Sequence, residues 1–73
     1  MKVEDVRPGV RVWYSPSPGL RFQGVVREQP WQLGDGSWVT HLTAMEPAYW
    51  QWRRTTGRTT VYAAWLDKLE AVS

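Results

Sequence analysis

The sequence predicts an all-β fold: a small barrel of five to six short antiparallel strands, with one short helical turn before the last strand. Three observations carry this. Apolar residues recur in short runs with the period of two that a half-buried strand needs. Clusters of Pro, Gly, Ser and Asp separate the runs. No stretch has the length and spacing of an amphipathic helix.

Val6-Arg7-Pro8-Gly9 turns the chain into a first strand, Val10 to Ser15. Val10, Val12 and Tyr14 share one face, and Arg11 and Trp13 the other. Ser15 to Gly19 holds two prolines, which remove ladder donors, so it is expected as a loop. The second strand, Leu20 to Glu28, puts Phe22, Gly24 and Val26 on one face. Gly24 inside it marks a bulge or a sharp bend at a barrel corner. Gln29 to Ser37 is a loop, with Gly34-Asp35-Gly36 as its turn, because Asp-Gly tolerates positive φ. The third strand, Ser37 to Thr43, has two competing phases: Trp38, Thr40 and Leu42 inward, or Val39 and His41 inward. Ala44 to Ala48 breaks it, with Pro47 at the turn. The fourth strand is Tyr49 to Arg54, Thr55 to Gly57 turns the chain, and the fifth strand is Arg58 to Tyr62. There Val61 is expected in the core and Tyr62 on the opposite face. Ala63 to Leu69 is locally helical but too short to stand as an independent helix. Leu69 to Val72 closes the barrel.

A chain of 73 residues makes one domain, residues 1–73, with 1–6 as an end that frays. Such a chain buries only roughly 60% of the surface its unfolded form exposes. It has no Cys and a single histidine, His41, so disulfides, thiolate metal sites and multi-histidine sites within one chain are excluded. Stability must then come from an efficient core or from self-association, and the six Trp fit either. No apolar run approaches the roughly 18 residues of a membrane span. The N-terminus lacks the apolar core of a signal peptide. A cytoplasmic protein that does not meet the membrane is the expectation. The net charge of +2 is only mildly basic, and seven Arg stand against two Lys. Arg suits bidentate phosphate contacts and stacking, although a GC-rich genome gives the same bias.

This pattern resembles the SH3-like small barrel. The resemblance rests on Pro8-Gly9, Arg11-Val12, the loop after them, Phe22, Gly24 and Val26, and Val61 followed by Leu66 and Leu69, and it runs from Val6 to Val72. More distantly, Gly9, Val12, Phe22-Gln23-Gly24, Val61-Tyr62 and Leu69-Glu70 resemble the plasmid-borne type II, trimethoprim-resistant dihydrofolate reductase. That resemblance implies a barrel that assembles as a homotetramer around a shared pore, lined here by Thr60, Val61 and Tyr62. The family's pore reads Val-Gln-Ile-Tyr, and this chain reads Thr59-Thr60-Val61-Tyr62, so Thr60 replaces the glutamine. The family's lysine after the first-strand valine has no counterpart in Trp13-Tyr14-Ser15. The fold and the tendency to oligomerise carry over; the reductase chemistry does not.

The function expected is a non-enzymatic binding or interaction module of bacterial or mobile-element origin, without a cofactor. No paired carboxylates, nucleophile triad or Gly-rich phosphate loop stands out. The favoured ligand is nucleic acid, bound through Tyr49 to Tyr62. Trp50 and Trp52 alternate onto one face as a stacking platform, with Arg53, Arg54 and Arg58 on phosphate. The competing reading of the two Trp is core on one face and solvated surface on the other. Aromatics and Arg also mark subunit interfaces, so a homo-oligomer is expected as well. The enzymatic alternative is the reductase-like pore. A third reading is a protein partner, with Trp13 and Trp38 as walls of a methyl-lysine cage and Asp35 or Glu28 as its anion.

Overall fold

The computed structural model describes residues 1–47 and 55–72, with side chains outside 45–58. The described residues form six strands: β1 (Arg11–Ser17), β2 (Leu20–Val26), β3 (Trp31–Gln32), β4 (Trp38–Pro47), β5 (Thr55–Trp65) and β6 (Leu69–Ala71). Two short 3₁₀ turns, Val3–Asp5 and Leu66–Lys68, accompany them. All the pairings are antiparallel, in the order β3-β4-β2-β1-β6, with β5 also on β4. The result is a small, curled half-barrel, compatible with an SH3-like barrel. No helix among the described residues is long and apolar enough to cross a membrane.

The curl comes from β2, which belongs to both halves of the sheet. It pairs with β1 from Leu20 to Val25, and through Val25 and Val26 with β4. Gly24 is the corner. A Cβ there would lie 3.3 Å from the Thr43 carbonyl oxygen and 3.4 Å from the Cβ atoms of Ala44 and Leu42. The missing side chain lets β4 close over the bend.

The inner face carries the core: Val12, Tyr14, Phe22, Val26, Leu42, Ala44, Ala64, Leu66 and Leu69, with Val6 from the N-terminal segment. Tyr14 meets Phe22 edge-to-face at 5.5 Å between centroids. Tyr62 closes that cluster, 5.1 Å from Phe22 and 6.4 Å from Tyr14. Each fully buried Val or Leu contributes about 1.5–3 kcal/mol. Thr40, the buried polar side chain, donates its hydroxyl to the Glu28 carbonyl at 2.8 Å. The Met1 ammonium donates to the carbonyls of Leu66 at 3.0 Å and Leu69 at 3.1 Å.

Several boundaries differ from the sequence expectation. β1 runs on through Pro16 to Ser17, because the register shifts between Tyr14 and Ser17 and leaves Pro16 where no ladder donor is required. Ser17 pairs with Leu20, which shortens the expected loop to Pro18-Gly19. The chain after Gln29 is not wholly loop: Trp31 and Gln32 pair with Val39 and Trp38 around the Gly34-Asp35-Gly36 turn. β4 does not break at Ala44; it continues to Pro47, again across a register shift. Thr55 to Gly57 is not a turn but the start of β5, which runs through Ala63 and Ala64 to Trp65 before the 3₁₀ turn. The expected fourth strand, Tyr49 to Arg54, lies outside the described residues.

Both phases of the third expected strand find cover. Thr40 and Leu42 point inward and are fully buried. Val39 is on the outer face yet only 5% exposed, because its cross-strand partners are Trp31 on one side and Trp65 on the other.

Candidate functional site

Strand register sorts the aromatic residues onto faces. Trp13 lies opposite Gln23 and Glu70 on the outer face of β1. Arg21 stacks its guanidinium 4.2 Å from the centre of the Trp13 ring and holds the Glu70 carboxylate at 2.9 Å. Both charged side chains are about half exposed or more, so the pair adds little stability. Its consequence is local: the face of Trp13 is already covered by a cation of the chain itself.

Trp38 has the inward phase of Thr40 and Leu42, at the first position of β4. Trp13 and Trp38 therefore occupy opposite faces of the sheet, and the structure does not bring them together as two walls. The anions proposed for them are engaged elsewhere. Asp35 accepts a hydrogen bond from the Ser37 N–H at 2.9 Å, and that bond holds its carboxyl below the ordinary value. The Glu28 carboxylate shares a hydrogen bond with His41 Nδ1, and Trp31 tilts over the His41 ring at 4.9 Å. The Arg27 N–H donates to the His41 carbonyl at 2.9 Å, so the segment after β2 is tied to β4 by backbone and side chain together.

The three pore candidates divide between faces. Thr60 and Tyr62 are half-buried on the inner face, opposite Ala44 and Leu42. Val61 is 48% exposed on the outer face, opposite Thr43. The expectation of Val61 in the core is thus reversed. Tyr62 takes the inward phase because its ring completes the Tyr14–Phe22 cluster. Val25 and Trp65 share the outer face with Val61 and are 38% and 46% exposed.

Trp50, Trp52, Arg53 and Arg54 lie outside the described residues. Arg58 belongs to β5, and its side chain lies outside the described set. The strands flanking that segment are paired as far as Pro47 with Thr55.

Sequence reasoning missed a cleft of about 420 Å³, lined by Trp38, Trp65, Asp67, Leu66, Val3 and Met1 among others. It lies where the N-terminal segment, the start of β4 and the end of β5 converge. The alternation Val61, Ala63, Trp65 is the available signal, masked by the local helical character of Ala63 to Leu69. A second, shallower depression of about 350 Å³ is lined by Ser15, Lys68 and the acids Asp67 and Glu70. Among the described residues, no group of three or more His, Asp or Glu is placed to hold a metal ion.

Compared with models of known families, with characterised proteins and with solved structures, the chain matches none.

Proposed function

We propose that the protein is a non-enzymatic SH3-like binding module that takes single-stranded nucleic acid on the segment joining β4 and β5 together with the start of β5. The observation that carries this is the β4–β5 ladder. It runs from Val39↔Trp65 to Pro47↔Thr55, so a paired ribbon carries the chain's basic, aromatic segment. Charge supports the reading. Residues 48–58 contain three Arg and no acid, whereas the rest of the chain has six basic and seven acidic groups. The whole positive balance thus belongs to that segment. Trp50 and Trp52 supply stacking surfaces, and Arg53, Arg54 and Arg58 supply phosphate contacts.

A further support is what the core does without. None of the four described Trp belongs to the buried core, which is built of Val, Leu, Ala, Tyr and Phe. Tryptophan is a surface residue in this fold as far as it is described.

The test is titration with a single-stranded oligonucleotide, read by Trp fluorescence. Three neutralised phosphates give a slope of log affinity against log salt of about −2. Binding is then roughly sixteen-fold weaker in 200 mM than in 50 mM salt. Arg53→Ala with Arg54→Ala reduces the slope to about −0.7. Absence of quenching at low salt refutes the proposal.

Self-association is the second reading, favoured by the outer-face row Val25, Val61 and Trp65, each more than a third exposed. The type II reductase-like pore has less support, because Thr60 and Val61 fall on opposite faces.

A further inference from the structure

We propose that the cleft between Trp38, Trp65 and Asp67 binds a substituted ammonium group, such as a quaternary or methylated amine, independently of the β4–β5 segment. The four described Trp are not equivalent. Trp13 is stacked under Arg21, and Trp31 packs on His41. Trp38 and Trp65 are 36% and 46% exposed, and among the described residues neither meets a ring, a cation or a hydrogen-bond acceptor. Those two indoles line the same cleft of about 420 Å³.

Asp67 lines it too, exposed, with no ion pair among the described residues. The first 3₁₀ position after β5 fixes it there: Trp65 ends the strand in extended conformation, and Leu66 anchors the turn in the core. Among the described residues, no Lys or Arg lines the cleft. Among the described residues, the positive group in its wall is the Met1 ammonium, which donates to the Leu66 and Leu69 carbonyls and makes no salt bridge with Asp67. Two exposed indoles and a carboxylate that makes no ion pair among the described residues, around a concave space, are the combination that attracts an organic cation. A hydrated metal ion gains little from indole faces. An uncharged apolar group uses the indoles but gains nothing from the carboxylate.

The probe is choline, compared with 3,3-dimethylbutan-1-ol, its uncharged isostere. The readout is the indole N–H resonances, assigned by single Trp replacements, with the Met1 amine left untagged. Choline is expected to move the Trp38 and Trp65 signals and to bind roughly tenfold more tightly than the neutral isostere. Asp67→Asn, at an exposed site, is expected to weaken choline about five- to tenfold and leave the isostere unchanged. Trp65→Leu weakens both, with retained signal dispersion reporting that the fold survives. Equal binding of choline and the isostere overturns the proposal. So does no movement of Trp38 and Trp65 up to about 100 mM choline, or movement confined to Trp13 and Trp31.

Discussion

Replacing three glycines in turn by alanine separates three physical effects that the structure assigns to different positions. At Gly24 the new methyl would sit 3.3 Å from the Thr43 carbonyl oxygen and 3.4 Å from two Cβ atoms. Thr43 cannot simply withdraw, since Val25 pairs with it on one side and Val61 on the other. Overpacking of this kind costs about 1–3 kcal/mol. The stiffer unfolded chain returns about 0.4–1 kcal/mol. The net expectation is a loss of about 0.5–2 kcal/mol. Gly34 has no atom within 4 Å of a built Cβ and an ordinary φ, so only the unfolded-state effect acts and Gly34→Ala gains about 0.4–1 kcal/mol. Gly19 is equally open but has φ +82°, so Gly19→Ala costs about 1–2 kcal/mol of backbone strain before that offset. Urea unfolding followed by Trp fluorescence measures all three, with an m-value of about 1 kcal/mol/M for a chain this short. The Gly24→Ala midpoint should fall by roughly 0.5–2 M with m unchanged. A Gly24→Ala protein as stable as the parent, beside a stabilised Gly34→Ala, refutes the account of the barrel corner.

If the outer face joins two copies, sedimentation velocity shows a concentration-dependent dimer or higher species. Val61→Asp then weakens it at least about tenfold, because a half-exposed valine is worth about 1 kcal/mol of burial in each copy. A monomer at every concentration removes the self-association reading. Tyr14 provides a pH test: burial raises its phenol above the ordinary value of 10.0. A raised folded-state value means that its contribution is intact below pH 10.0 and is lost as pH rises through the folded value. Melting temperature followed from about pH 8 to about pH 11.5 should fall less steeply for Tyr14→Phe, and an identical alkaline fall in both proteins contradicts this.

The barrel was legible where alternation and turn chemistry agree. Val12, Tyr14, Phe22, Gly24 and Val26 share the inner face as their spacing demands, and the 3₁₀ turn before β6 falls at Leu66. Prolines mislead in β1 and β4. Pro16 and Pro47 have the sequence character of strand breakers, but each sits at a register shift, where a missing N–H costs no ladder bond. A shift of that kind depends on the partner strand, and no local pattern announces it. Val61-Tyr62 failed for a related reason. Period two tells which residues share a face; which face is buried depends on the partner, and Tyr62 was drawn inward by two rings from β1 and β2.

The Trp38–Trp65–Asp67 cleft was illegible for a deeper reason, and the same reason bears on what the protein is for. Its walls come from positions 1 and 3, 37–38 and 65–67, three stretches with no common motif. The antiparallel return of β5 along β4 sets Trp65 opposite Val39, one residue on from Trp38, and both indoles reach the cleft. A barrel of this size has room inside for Tyr14, Phe22 and Tyr62, but the described indoles stay outside it. Each exposed indole leaves apolar area in water that burial elsewhere has to offset. Where the chain gives an indole a partner of its own, as Arg21 does for Trp13, that surface is used in folding. At Trp38 and Trp65 no ring, cation or acceptor among the described residues does so, and that is the surface the proposed ligand would use.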